Sequence, residues 1–336
     1  MQVHETYNMT PYVADVVFSK DRFGKNLVIA IVKACFDFDE KGECSTSSRE
    51  RMLPVMHSYS YHDTPERSGI KYPVDIVPEK KGTDIIINGH VYGHGQKEAV
   101  CGFDMGDLKK KIVVFGKRFW VKRLIGLKIS EPLPFSKIPL LYDHAFGGSY
   151  DDPEKGSVFF EENPIGKGFE AESGDQAPLP HFEYPDKLIK SLKNKPTPAG
   201  LSAIPRSWKQ RSIHAGTYDE NWKTQNFPSE PLDFNIRFFN AVPDDQIFKS
   251  GLSGGETLVL YRLHSKKQRL RLSIPDVCLS ATFRIKEQTV HQKMVIDTCL
   301  VEPDEGRLSL TCRSTLAMDD DVRYLKSVHL ELNVNE

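Results

Sequence analysis

The chain lacks every short motif that fixes a chemistry by spacing. No GxSxG elbow, Walker loop, GxGxxG fingerprint or EF-hand pattern occurs. Its six cysteines, Cys35, Cys44, Cys101, Cys278, Cys299 and Cys312, form no CxxC pair, which weakens zinc and thioredoxin readings. Each lies in or beside a strand pattern and reads as a buried small hydrophobe, reduced in a cytosolic protein. A thiol nucleophile would also need a positioned histidine. Charge of one sign is missing too: 45 Lys and Arg balance 46 Asp and Glu, for a net charge of −1. No global field draws the protein to nucleic acid or an anionic membrane. The basic runs 109–111 and 266–271 flank strand patterns without interleaved aromatics and read as solvated faces. The longest apolar run, Leu27 to Val32, is too short to span a bilayer. The start, MQVHETYNMTPYV, lacks a basic stretch leading into an apolar one, so no signal peptide is expected. Nothing implies a cofactor.

What is present is alternation. In LVIAIVKACFDF the even positions Val28, Ala30, Val32, Ala34, Phe36 and Phe38 are all apolar, the period of a half-buried strand. Asp39 to Gly42 reads as the following turn. TDIIINGHVYGHG sets Ile85, Ile87 and Val91 on one face, and EAVCGFDM groups Ala99, Cys101, Phe103 and Met105. KKIVVFGKRFWV reads as one more strand with a bulge at Gly116. The C-terminal third repeats the style in RLRLSI, ATFRIK, KMVIDTCLV, RLSLTCRST and SVHLELNV, where Val328, Leu330, Leu332 and Val334 face one way. Glu302 to Gly306 reads as a hairpin turn. VKACFDFDEKGEC and IDTCLVEPDEGRLSL are alike enough to raise a pseudo-repeat, although any antiparallel hairpin gives that pattern.

The fold class expected is mainly β, with packed antiparallel sheets, sandwich- or barrel-like, a Pro/Gly/aromatic-rich irregular middle and one or two short helices. The chain divides into a strand-rich N-terminal region (1–130), an irregular aromatic-rich region (131–250) and a strand-rich C-terminal region (251–336), expected to form one compact body. The helix candidate is PDKLIKSLKNK, where Pro185 suits a first turn and Leu188, Ile189 and Leu192 share a face.

The irregular middle holds the most informative stretch, Pro196 to Gln246. Pro and Gly punctuate it too often for a long helix or central strand. It nevertheless carries Trp208, Tyr218, Trp222, Phe227, Phe234, Phe238 and Phe239. Rings of that size need burial or a partner, so the segment either plugs the core or forms a binding surface. Trp208, Arg211, Tyr218, Asp219 and Trp222 are its candidate site residues, because Trp, Tyr and Arg are the usual interface anchors.

Two chemistries compete. His90 and His94, four apart as ligands on a helix can be, and His57 and His62 are the metal candidates, but the glycines around the first pair argue against a helix and no third ligand follows by spacing. Hydrogen-bonded histidines are the simpler reading, and no metal is expected. Asp219 and Glu220 beside Tyr218 and Trp222 have the composition of a sugar platform, with Asp143, Asp233, Asp244 and Asp245 as further carboxylates. Asp in Pro/Gly-rich segments more often caps turns, and Asp219 has Arg206 and Arg211 as potential ion-pair partners. Asn163 to Gly168, Ala145 to Gly148 and Ser253 to Glu256 read as turns.

Taken in order, DIVPEKKGTDIIINGHVYGHG, VVFGKRFW, PLLYDHAFGG, ENPIGKGF, LPHFEYP, PAGLSAIPRSWKQRSIHAGTYDENW, LDFNIRFFNAVPDDQ, LSGGE and VIDTCLVEPDEGRLSLTCRS resemble domain-of-unknown-function family 2169, whose genes neighbour type VI secretion genes. AGTYDENW and FFNAVPDDQ are the most specific blocks. Cys312 departs from the pattern, where a Trp is expected before Arg313; the smaller residue implies a looser pocket there. The resemblance implies a cytoplasmic, non-enzymatic adaptor or chaperone that binds a toxic effector, the PAAR–VgrG spike tip, or both, and helps load it. It brings no catalytic residues. The alternative is a carbohydrate-binding or glycan-active β-sandwich.

Overall fold

The computed structural model describes residues 5–65, 68–169, 174–318 and 322–333. Its largest sheet has seven strands. Six lie in the order Ile247–Phe248, Thr83–Ile87, Val295–Glu302, Arg307–Met318, Asn26–Phe38 and Val13–Lys20, and Cys44–Thr46 pairs with Asn26–Phe38. A five-stranded sheet runs Phe182–Glu183, Leu108–Phe115, Glu98–Met105, Thr257–Tyr261 and Arg269–Ser273. A four-stranded sheet runs Glu5–Asn8, Leu325–Leu332, Leu279–Ile285 and Gln288–Lys293. The chain is mainly β as expected, and no sheet among the described residues closes into a barrel.

Asn26–Phe38 and Arg307–Met318 pair antiparallel from Asn26 opposite Met318 to Asp37 opposite Arg307. Strands of the first and last thirds therefore share one sheet. The pairing is not wholly antiparallel: Thr83–Ile87 runs parallel to Val295–Glu302, and Glu5–Asn8 parallel to Leu325–Leu332. The main core takes residues from Tyr12 to Leu330, including Ala99, Cys101, Phe103 and Met105 from one strand face.

Three local expectations change. Asn26–Phe38 is buried on both faces rather than one. Its even residues enter the main core, while Leu27, Ile29 and Ile31 pack with Val55 and Ile76. Val55 and Ile76 cover part of that second face, and Lys33, on the same side, is neutralised by Asp75 and donates to the Pro54 carbonyl at 3.2 Å. Next, 185–195 forms turns instead of a helix. The Ile189 N–H goes to Glu183 Oε2 at 2.7 Å, and Asn194 Oδ1 takes the N–H groups of Lys190 and Ser191, each at 2.9 Å. Side-chain acceptors outcompete the helical carbonyls, and Leu192 is left exposed. Finally, Gly116 is a break and not a bulge within one strand. A Cβ there would lie 1.7 Å from the Leu133 carbonyl oxygen, and Trp120–Lys122 continues in a separate two-stranded sheet with Leu127–Ile129.

The two α-helices are short: Lys209–Ser212 and Glu220–Gln225. Both fall in the aromatic middle. Cys35, Cys101, Cys299 and Cys312 are buried, whereas Cys44 and Cys278 are only half-buried. Burial pushes the Cys44 thiol up to about 11, so it is a poor nucleophile at neutral pH. Cys312 is fully buried opposite Val32 and Ile296.

Candidate functional site

The five sequence-selected residues separate into two groups. Trp208 is 4% exposed and meets the buried Tyr142 ring edge-on, with centroids 5.3 Å apart. Arg211 is 2% exposed. Its Nε and Nη2 donate to the Phe238 carbonyl at 3.2 and 2.8 Å, and its Nη1 to the Ile204 carbonyl at 2.8 Å. These two belong to the interior, and Arg211 satisfies loop carbonyls that no strand pairs.

Tyr218, Asp219 and Trp222 lie outside it, on a closed loop. The Asn235 N–H donates to the His214 carbonyl at 3.0 Å and fastens the loop's ends. One step inward, Asp233 accepts from the Thr217 N–H at 2.9 Å and hydroxyl at 2.8 Å. Asp219 caps Glu220–Gln225 by accepting the Trp222 N–H at 2.8 Å, as an N-cap aspartate does. That correction replaces the ion pair with Arg206 or Arg211. The Trp222 indole donates to the Ser229 carbonyl at 2.7 Å, and its ring sits edge-on between Tyr218, at 4.8 Å, and Phe227, at 5.6 Å. Tyr218 is 52% exposed, Phe227 69% and Leu232 75%. The loop holds itself together and presents apolar surface outward, the behaviour of a compact Ω-type loop.

The loop returns to the body through the FFNAVPDDQ block, whose polar residues all have inward partners. Arg237 is buried, bonded to Asp244 Oδ1 and the Val242 carbonyl. Asn240 Nδ2 and the Ala241 N–H both reach Asp84, at 2.8 and 2.7 Å. Asp245 accepts from Lys110 and Tyr184, each at 2.8 Å. Gln246 donates to the carbonyls of Ile85 and Leu201, each at 2.8 Å, and accepts from Lys110 at 2.8 Å. Burial pushes the Lys110 ammonium down, with Asp245 opposing that shift. This block is a hydrogen-bonded polar frame, buried at Asn240 and Gln246, and it explains why the stretch is irregular yet fixed.

Other candidates are likewise engaged. His90 Nδ1 and the Tyr92 hydroxyl share Asp304 at 2.7 and 2.6 Å, and His57 meets Asp15 at 2.6 Å. Among the described residues no group of three metal-ligating side chains converges. Asp143 accepts the Gly69 N–H at 3.1 Å. The stretches Asn163 to Gly168 and Ala145 to Gly148, expected as turns, instead hold two short strands, Lys167–Gly168 and Phe146–Gly147, that pair parallel, and the buried Asn163 fastens them by donating to the carbonyls of Tyr142 and Phe146 at 2.8 and 3.0 Å.

One feature is legible only in three dimensions. A groove of about 450 Å³ runs between the hairpin tip at 21–24 and the segment 230–239. Phe23, Phe234, Ile236 and Phe239 line it, with Glu79 and Glu230 among its polar residues. The available sequence signal was Phe23 itself, a large aromatic in a DRFG turn, 73% exposed.

These features define an all-β protein that carries an exposed aromatic loop on a rigid polar frame. Over residues 23–313 the sequence matches the uncharacterized proteins conserved in bacteria known as DUF2169, and the chain belongs to that family. No curated protein and no solved structure matches it. Among the described residues no helix is long and apolar enough to cross a membrane.

Proposed function

We propose that the protein is a cytoplasmic, non-enzymatic adaptor of type VI secretion, which binds a toxic effector, the PAAR–VgrG spike tip, or both, and promotes loading. The observation that carries this reading is the loop 214–235. It exposes Tyr218, Phe227 and Leu232, while Arg211, Asn240 and Gln246 hold its base rigidly. A rigid base lowers the ordering cost of binding, and exposed aromatics supply the anchors. An adaptor acts by mass action on the loadable form of its cargo, so its interface is specific and reversible, on the order of 1,600 Å².

A glycan-binding role would use the same Tyr218–Trp222 pair. It has less support, because Asp219 and Asp233 are occupied by backbone N–H groups and the two rings meet at 71° without forming a flat platform. Secretion of toxin and tube protein from one deletion strain tests the proposal. Selective loss of one toxin, with a direct complex between this protein and that toxin or spike tip, is the expected result. Loss of both makes the protein a core component of the machine, and loss of neither overturns the adaptor role. Quenching of Trp222 by soluble sugars would favour the glycan reading.

A further inference from the structure

The groove beside the aromatic loop is lined by both apolar and charged side chains. Phe234 and Phe239 pack with centroids 5.2 Å apart on one wall, and Phe23 stands opposite on the hairpin tip. Ile236, 38% exposed, adds a further apolar side chain. The segment 234–239 cannot yield easily, because Arg211 grips the Phe238 carbonyl and the Asn235 side chain caps the turn by accepting the Arg237 N–H at 3.0 Å. The space is preformed rather than a gap between mobile side chains.

The charged lining carries both signs, with the carboxylates of Asp21, Glu79 and Glu230 outnumbering the cations of Lys20 and Arg22. Glu230 is half-buried; burial raises its carboxyl, Asp21 adds to that effect, and Arg22 offsets only part of it. Neither Glu230 nor Glu79 has a hydrogen bond or ion pair to a described residue. Asp21 is already taken, accepting the N–H groups of Phe23 and Lys25 at 2.8 and 2.9 Å. Of the nearby cations, Lys20 is exposed to water and the Arg22 guanidinium lies 4.8 Å from the Phe23 ring. A carboxylate withdrawn from water without a partner is costly, and a cation brought in beside it recovers some of that cost.

We propose that this groove docks an extended segment of a partner protein in which an aliphatic or aromatic side chain stands next to a lysine or arginine. The apolar residue enters between Phe23, Phe234 and Ile236, and the cation reaches Glu230 and Glu79. The proposal rests on the adaptor reading for the partner being a protein, and it adds where that partner binds and by what chemistry.

A displayed library of random twelve-residue peptides, selected against the full chain, tests it. The expected outcome is enrichment of peptides with an apolar–basic pair. Their affinity should fall at least tenfold on the E79K/E230K protein and on the Phe23→Asp protein. Phe23 and Glu79 are exposed, so folding should survive, as circular dichroism and melting would verify. No enrichment, enriched peptides without a basic residue, or peptides that bind E79K/E230K undiminished would each overturn the groove. The adaptor reading fails separately. If the toxin complex forms but is unchanged in E79K/E230K, the groove is wrong and the adaptor stands. If selected peptides behave as expected but no toxin or spike complex forms, the groove stands and the type VI assignment falls.

Discussion

Arg211 and Phe238 are tied by a two-pronged bond, with Nε and Nη2 of the buried guanidinium both on the Phe238 carbonyl, at 3.2 and 2.8 Å. Through this contact the interior sets the position of a surface segment. Truncation to Ala strands the Phe238 and Ile204 carbonyls, so Arg211→Ala should lose roughly 2–5 kcal/mol of stability. Arg211→Lys should rescue little, since one ammonium cannot reproduce the fork. Urea unfolding of the three proteins decides the matter; a lysine variant as stable as the parent would show that the fork geometry is irrelevant.

Trp208 and Trp222 should respond oppositely to truncation. Trp208 is buried against Tyr142, and Trp208→Ala should cost about 3–5 kcal/mol. Trp222 packs against Tyr218 and Phe227 of its own loop, so Trp222→Ala should cost less than about 1.5 kcal/mol in global unfolding while weakening the toxin complex by ~2 kcal/mol or more. Equal destabilisation by the two substitutions would place Trp222 in the core after all.

That division was not legible in the sequence. Both tryptophans lie among Pro and Gly with similar neighbours, and no periodicity separates them. The strands were legible because alternation is local: Val28 to Phe38 marks the inner face unaided. The burial of Ile29 and Ile31 was not, because it depends on Val55 and Ile76, outside the strand, packing over the sheet. Parallel pairing of Thr83–Ile87 with Val295–Glu302 escaped for the same reason: more than two hundred residues separate the partners. The helix expected at 185–195 failed on competition, since Glu183 and Asn194 capture the N–H groups it needed. Asp219 reads by its charge as a site carboxylate, yet its use is a cap.

Stability should decline as pH falls from 6.5 toward 4. Burial pushes the His144 imidazole down to about 4, with Lys167 and His181 adding to the effect, and burial also lowers His181. The rings of His144 and His181 lie 5.2 Å apart, that of Phe182 lies 6.1 Å from His144, and His144 Nδ1 has no hydrogen-bond partner among the described residues. In the unfolded chain a histidine titrates near about 6.5. Between these values the unfolded state binds a proton that the folded state does not, so stability is complete above the unfolded value and is lost as pH falls through the folded one. The expected loss is roughly 1–3 kcal/mol, given that His144 is half-buried. Urea midpoints measured from pH 7 to 4 should show a shallower decline for His144→Gln; an unchanged slope would remove His144 as a cause.

A second acid-sensitive group acts at lower pH. Burial alone would raise the Asp297 carboxyl, but the adjacent Arg313 and Lys80 hold it below the usual carboxylate range. A depressed carboxylate contributes stability above its unfolded value, near about 3.9, and loses it as pH falls through the folded value. Asp297→Asn should therefore be less stable at pH 7 and lose less on acidification below about pH 4. Parallel acid-unfolding curves for the two proteins would contradict the assignment.

The aromatic loop should be removable without unfolding the protein. Thr217 and Asp233 already meet through two hydrogen bonds of 2.9 and 2.8 Å, so two glycines can replace residues 218–232 without moving either end. Little closure entropy is at stake in so short a bridge. The frame residues Arg211, Asn240 and Gln246 lie outside the excised stretch and keep their bonds. The shortened protein should retain its β-type circular dichroism and cooperative melting while losing the toxin complex and selective toxin secretion. Global unfolding of the variant would mean that the loop stabilises the core. A folded variant that still binds and delivers the toxin would remove the observation on which the adaptor proposal stands.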